Sequence, residues 1–156
     1  MESFGELMRA YEQSGLGHAA RSTTWLYPMA NLIHVLGASL LVGAIAVFDL
    51  QVLRRAGNMR ALARATLPLA ALGLVVQLAT GIVLLSAEAT TMVLNTAFRF
   101  KILMLVLGLI NVAIFHWRFG HLLRKDATSD SARPLAAISL GSWVLVLLAG
   151  RAIAYV

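Results

Sequence analysis

Four predominantly apolar stretches, at roughly 27–52, 67–87, 97–119 and 134–156, run through this chain of 156 residues, and short segments holding most of the charge separate them. Each reaches the roughly 20 residues that ~30 Å of hydrocarbon requires of a helix. Lipid offers the backbone no hydrogen-bond partner, so every span must satisfy its own peptide groups. The expected fold is therefore all-α: an integral membrane four-helix bundle forming a single domain.

Composition agrees, with 60% hydrophobic residues, 13% charged residues and a mean hydropathy of +0.81. After four spans about 60 residues remain, which is too few for a separate soluble domain. The formal net charge of +6 does not point to nucleic acid, because the basic residues flank membrane spans. Orientation and lipid headgroups account for them there. The chain contains no cysteine, which excludes disulfides, thiolate metal sites and iron–sulfur clusters. Paired carboxylates, a nucleophile elbow and metal-hydrolase spacing are all absent from the sequence, so it does not read as an enzyme acting by itself.

Lys and Arg set the expected orientation. Arg54, Arg55, Arg60 and Arg64 follow the first span, and Arg118, Arg124, Lys125 and Arg133 follow the third, which assigns both connections to the cytoplasm. Both termini then lie on the periplasmic side of a bacterial inner membrane. Residues 1–20 lack the basic and apolar regions of a cleavable signal. Phe4, Leu7, Met8 and Tyr11 recur at three- and four-residue steps, predicting an amphipathic helix on the outer membrane surface. Gly15 and Gly17 are expected to end it, and Ser22, Thr23 and Thr24 to cap the first span, which Trp25 and Tyr27 anchor at headgroup level. Pro68 reads as an early-turn proline and 120–133 as a solvated loop. Gly37, Gly43, Gly73, Gly81, Gly108, Gly141 and Gly150 are expected on packing faces.

Polar residues inside spans are costly and mark candidate sites. At ~1.5 Å per residue, His34 lies about 9 Å below Pro28, Lys101 and Met104 about 6 and 10 Å below the start of span three, Arg151 about 7 Å from the end of span four and Gln77 about 13 Å deep. His34, Gln77, Lys101 and Arg151 thus form an outer layer suited to a cofactor. Asp49, Asn111 and His116 form a second polar layer near the cytoplasmic surface, with Asp49 expected to pair with Arg54 and Arg55. His34 and His116 differ by about 20 Å in depth, too much for a bis-histidine haem within one protomer. Two protomers sharing His34 would escape that limit. His34 and Met104 match in depth and form a ligand set known for haem iron and copper.

The segments 31–37 (Asn-Leu-Ile-His-Val-Leu-Gly), Phe48-Asp49-Leu50, 95–101 (Asn-Thr-Ala-Phe-Arg-Phe-Lys), Asn111 to Phe115-His116 and Gly150-Arg151 resemble an uncharacterised family of small bacterial four-helix membrane proteins. That family is distantly similar to the copper-resistance CopD-type membrane domain. The resemblance implies an inner-membrane protein handling copper or electrons at its outer face, with His34 and Lys101 as the matching positions. The chain lacks the dense Met and His clusters expected of a soft-metal relay. Three functions remain open. One is a redox or metal-handling subunit that holds haem, quinone or copper and works with a periplasmic redox or metal-binding protein. The second is a copper or ion transporter, and the third a structural anchor or assembly subunit without a cofactor.

Overall fold

The computed structural model describes residues 2–55, 57–124 and 129–155. Its helices, in chain order, are α1 (Glu2–Glu12), α2 (Gly15–Ser22), α3 (Leu26–Arg54), α4 (Met59–Ala87), α5 (Ala89–Met92), α6 (Thr96–Arg124) and α7 (Arg133–Ala152), with a short 3₁₀ turn at Asp130–Ala132 before α7. Four of these, α3, α4, α6 and α7 with its 3₁₀ lead-in, are long and apolar enough to cross a membrane. The chain is an all-α four-helix bundle and a multi-pass integral membrane protein. Large apolar side chains such as Leu36, Val75, Leu103 and Leu148 point out of the bundle. In water that surface would be prohibitive; in lipid it is the expected outer face.

The helices run up and down. One end, the terminal end, carries α1, α2, α5 and the C-terminal end of α7. The other, the basic end, carries the α3–α4 turn and the α6–α7 connection. α4 packs along α3, α6 packs along α7, and α3 packs against α7, whereas α4 and α6 meet only briefly. The bundle is thus closed on three sides and loose on the fourth. Close approach of α3 and α4 depends on glycine. A Cβ on Gly73 would lie 2.7 Å from the Leu41 nitrogen and 2.9 Å from the Gly37 oxygen, so no larger residue fits unless the helices separate. Gly43 and Gly141, by contrast, face open space and do not pack.

Several boundaries differ from the sequence expectation. α4 begins eight residues before the expected 67, which places Pro68 inside the helix rather than in its first turn. Charged Arg60 and Arg64 lie on its opening turns and continue the helix into the headgroup zone. α6 continues through Gly120 to Arg124 before its connection starts. Of the expected loop, Lys125, Asp126 and Thr128 lie outside the described residues, as does Val156 at the expected end of span four. Arg55 closes α3 in the left-handed conformation (φ 55°) and bonds Asp130 on the neighbouring connection at 2.8 Å.

The tail is two helices, not one. Gly15 and Gly17 open α2 rather than ending α1: the Ser14 hydroxyl accepts from the Gly17 N–H at 3.3 Å, an N-cap. α2 crosses the end of α4 so closely that a Cβ on Gly17 would lie 2.7 Å from the Ser86 oxygen. Ser22, Thr23 and Thr24 do not cap α3, whose N-cap position is Trp25 without a side-chain bond. The tail instead clamps the terminal end. Arg21 donates to the Ala87 oxygen at 3.1 Å, the Ser86 oxygen at 3.4 Å and the Glu12 oxygen at 2.8 Å. It thereby satisfies carbonyls that the end of α4 leaves open. The Glu12 carboxylate accepts from the N–H and hydroxyl of Thr90 at 2.9 and 2.7 Å, and Tyr11 donates to the Ile82 oxygen at 2.6 Å.

Candidate functional site

Two polar regions lie inside the bundle, about 22 Å apart along α3 as counted from His34 to Asp49. The first, toward the terminal end, joins three spans. The His34 ring on α3 reaches the Thr80 hydroxyl on α4 at 2.8 Å through Nδ1, and the Lys101 ammonium on α6 lies 3.4 Å from Nε2. The Gln77 amide donates to the His34 carbonyl oxygen. Lys101 rests on α7 as well, since a Cβ on Gly150 would stand 3.4 Å from its Nζ.

The proton positions follow from counting donors. Thr80 donates its single hydroxyl proton to the Val76 oxygen at 2.6 Å, so toward His34 it accepts. Nδ1 must then carry a proton, and Nε2, facing an ammonium that can only donate, must be bare. The chain reads Lys101 Nζ–H to Nε2, Nδ1–H to Thr80, and Thr80 O–H to Val76. His34 is neutral in this arrangement, and among the described residues the ammonium of Lys101 pairs with no carboxylate. Among the described residues the ion pair of the bundle is Arg55 with Asp130, at the opposite end.

Of the expected outer layer, the structure brings together His34, Gln77 and Lys101 and adds Thr80. Thr80 follows Gly73 by seven residues and Gln77 by three, so it shares their face of α4 with Gly81. Arg151 does not join them. It is exposed at the end of α7, donating to the Tyr155 hydroxyl at 2.5 Å with its guanidinium 4.8 Å from that ring centre. Met104 sits half-buried one turn from Lys101. A metal taking the Nε2 lone pair would have to displace the ammonium. Among the described residues no group of three or more His, Asp or Glu could hold a metal ion.

The second region corrects the sequence expectation. Asp49 is not an interfacial partner of Arg54 or Arg55: it is 3% exposed and hydrogen-bonded to Ser139 on α7. α3 turns it inward beside Phe48, while Arg55 is taken by Asp130. Asn111 on α6 is buried as well, and His116 is exposed, bonded to the Val112 oxygen of its own helix at 3.0 Å. These three residues border a cavity of about 330 Å³ that all four spans line, with Leu67, Ala70, Ala71 and Leu74 from α4 and Leu109, Val112 and Phe115 from α6 on either side of the loose seam. Phe48 and Phe115 meet there edge to face, centroids 5.6 Å apart. A layer including Leu41, Leu74 and Leu105 separates this cavity from the His34 network.

Comparison with protein-family models, curated proteins and solved structures finds no match to this chain, so the arrangement of its own side chains carries the functional reading.

Proposed function

We propose that the protein is a small redox subunit of a bacterial inner membrane that holds an anionic or carbonyl-bearing group beside Lys101 and His34, in the half of the bilayer facing the periplasm. One observation carries this reading: a lysine within the spans whose polar partner is a neutral imidazole. A cation in a low-dielectric interior without a counter-charge is costly, and a ligand oxygen supplies the missing partner. A quinone carbonyl or a haem propionate has that chemistry. Copper suits it less well, because the ammonium occupies the nitrogen that a soft ion would need. The likeness of His34 and Lys101 to the CopD-type pattern supports an electron- or metal-handling role, and a periplasmic protein would be the partner. The basic residues at the α3–α4 and α6–α7 connections support termini in the periplasm. There the exposed Phe4 and Leu7 of α1 would meet the interface.

The anchor reading is favoured by a separate observation: the His34 ring nitrogens and carbonyl together tie α3 to α4 and α6, as a purely structural histidine would. Transport is disfavoured by the apolar layer between the two polar regions. Oxidised and dithionite-reduced absorption spectra of the detergent-purified protein, with metal analysis and quinone extraction, separate these. A Soret band or stoichiometric quinone lost in K101M supports the redox subunit. Stoichiometric copper lost in H34A replaces the anionic ligand with a metal, and a colourless, metal-free and quinone-free protein leaves the anchor.

A further inference from the structure

At the terminal end, α2, the first turn of α3 and the end of α4 enclose a crevice of about 240 Å³, lined by Ala20, Arg21, Tyr27, Ala87 and Glu88. Ala20 and Ala87 are buried, and the two charges that border the crevice, Arg21 and Glu88, are of opposite sign. They form no ion pair with each other. Arg21 is not free to turn, because its guanidinium is fixed by the carbonyl oxygens of Ser86, Ala87 and Glu12. Those contacts occupy the two terminal nitrogens and leave the Nε–H of the guanidinium unused. The Glu12 carboxylate is already held by Thr90. Glu88 is exposed and is the C-cap residue of α4, where a carboxylate opposes a helix macrodipole that favours cations. A fixed cation and a carboxylate thus border one crevice, and neither neutralises the other.

The crevice lies at headgroup height. Trp25 and Tyr27, 68% and 40% exposed, stand at the start of α3 as an aromatic belt does. Immediately below them Met29, Leu32 and Ile33 are exposed, as contact with hydrocarbon requires. We propose that the crevice holds the headgroup of a phosphatidylethanolamine-type lipid. Its phosphate accepts from Arg21 Nε–H, and its primary ammonium donates to the Glu88 carboxylate. A purely anionic headgroup would meet Glu88 as a like charge. A choline headgroup carries the cation but has no N–H to donate. The volume is smaller than that of pockets enclosing whole ligands, and it suits a headgroup whose chains stay in the bilayer. A lipid seated there bridges α2 to the end of α4 and adds to the clamp that Arg21 begins. This site is separate from the His34–Lys101 network and does not rest on the reading of that network or on the orientation of the bundle.

The test is native mass spectrometry of the full-length protein, delipidated in detergent and titrated with dioleoyl phosphatidylethanolamine. Phosphatidylcholine and phosphatidylglycerol with the same chains, and soluble O-phosphoethanolamine, are the competing probes. One ethanolamine lipid per chain should be retained, about fivefold more tightly than either other lipid, the scale of one exposed ion pair. E88Q, which leaves every contact of the Arg21 clamp in place, should abolish that preference with Tm unchanged. E88K should invert it in favour of phosphatidylglycerol. E6Q, at an exposed position of α1, and K101M should both leave it as it was, so a failure at the other polar region does not imitate a failure here. Phosphatidylcholine or phosphatidylglycerol binding as tightly as the ethanolamine lipid would overturn the proposal. So would a preference that survives E88Q, or no retained lipid at all. O-phosphoethanolamine displacing the lipid at equal concentration would make the crevice a site for a soluble zwitterion and overturn the lipid assignment.

Discussion

The Lys101 ammonium lies 3.4 Å from Nε2 of His34, and the two residues come from helices that are neighbours neither in sequence nor in the tightest packing of the bundle. Their contact links α3 to α6 inside the membrane. Replacing either partner should have opposite effects on stability. K101M removes a half-buried cation while keeping an apolar stem of similar length, so the purified protein should be equally or more stable. H34A strands both the ammonium and the Thr80 acceptor and should cost about 1–3 kcal/mol. Thermal unfolding in one detergent, followed by circular dichroism, compares them directly. A K101M protein less stable than H34A would contradict the proton arrangement derived above.

Close contact of α3 and α4 at Gly73 makes a sharper steric prediction. G73V places side-chain atoms against the Leu41 backbone, where even a Cβ would be 2.7 Å away. Overpacking against backbone costs about 1–3 kcal/mol and more where nothing can move, so a large fall in Tm or loss of the folded protein is expected. G43A, which meets nothing within 4 Å, is the matched control. It should be neutral or slightly stabilising, since alanine is the better helix former.

At the terminal end the prediction concerns pH. The two bonds from Thr90 hold the Glu12 carboxyl below the usual carboxylate value, with the charge of Arg21 adding to the effect. A depressed pKa in the folded state means that the clamp contributes fully above the unfolded value of about 4.3. Its contribution is lost as pH falls through the lower folded value. Hydrogen exchange at the Thr90 amide should accelerate in that acid window and stay constant from pH 6 to 8. E12Q should remove most of the acid response, while R21A should loosen the Ser86 and Ala87 carbonyls at every pH.

Topology can be decided without purification. A reporter active only outside the cytoplasm, fused after Val156, should be active, and the same reporter inserted at Gly57 should be silent. The reverse pattern would turn the bundle over and place the His34 network on the cytoplasmic half.

What the sequence determined by itself was the coordinate along the membrane normal. Apolar length and backbone satisfaction leave helices as the form of the spans, and a constant rise per residue places His34, Gln77 and Lys101 at one level and Asp49, Asn111 and His116 at another. Rotation about each helix axis is different, because it depends on which faces pack, and packing is a relation between segments distant in the chain. Gln77 was legible because its own helix carries glycines on the same face. Arg151 shared the right depth but faces Tyr155 instead of Lys101. Asp49 had cationic neighbours in sequence, yet α3 turns it inward to Ser139 and leaves Arg55 to Asp130. The cavity was invisible to any count along the chain, since it exists only because α3 binds α4 and α7 tightly while α4 and α6 stay apart. Depth is a property of one helix, whereas a site is a property of several helices turned toward one another.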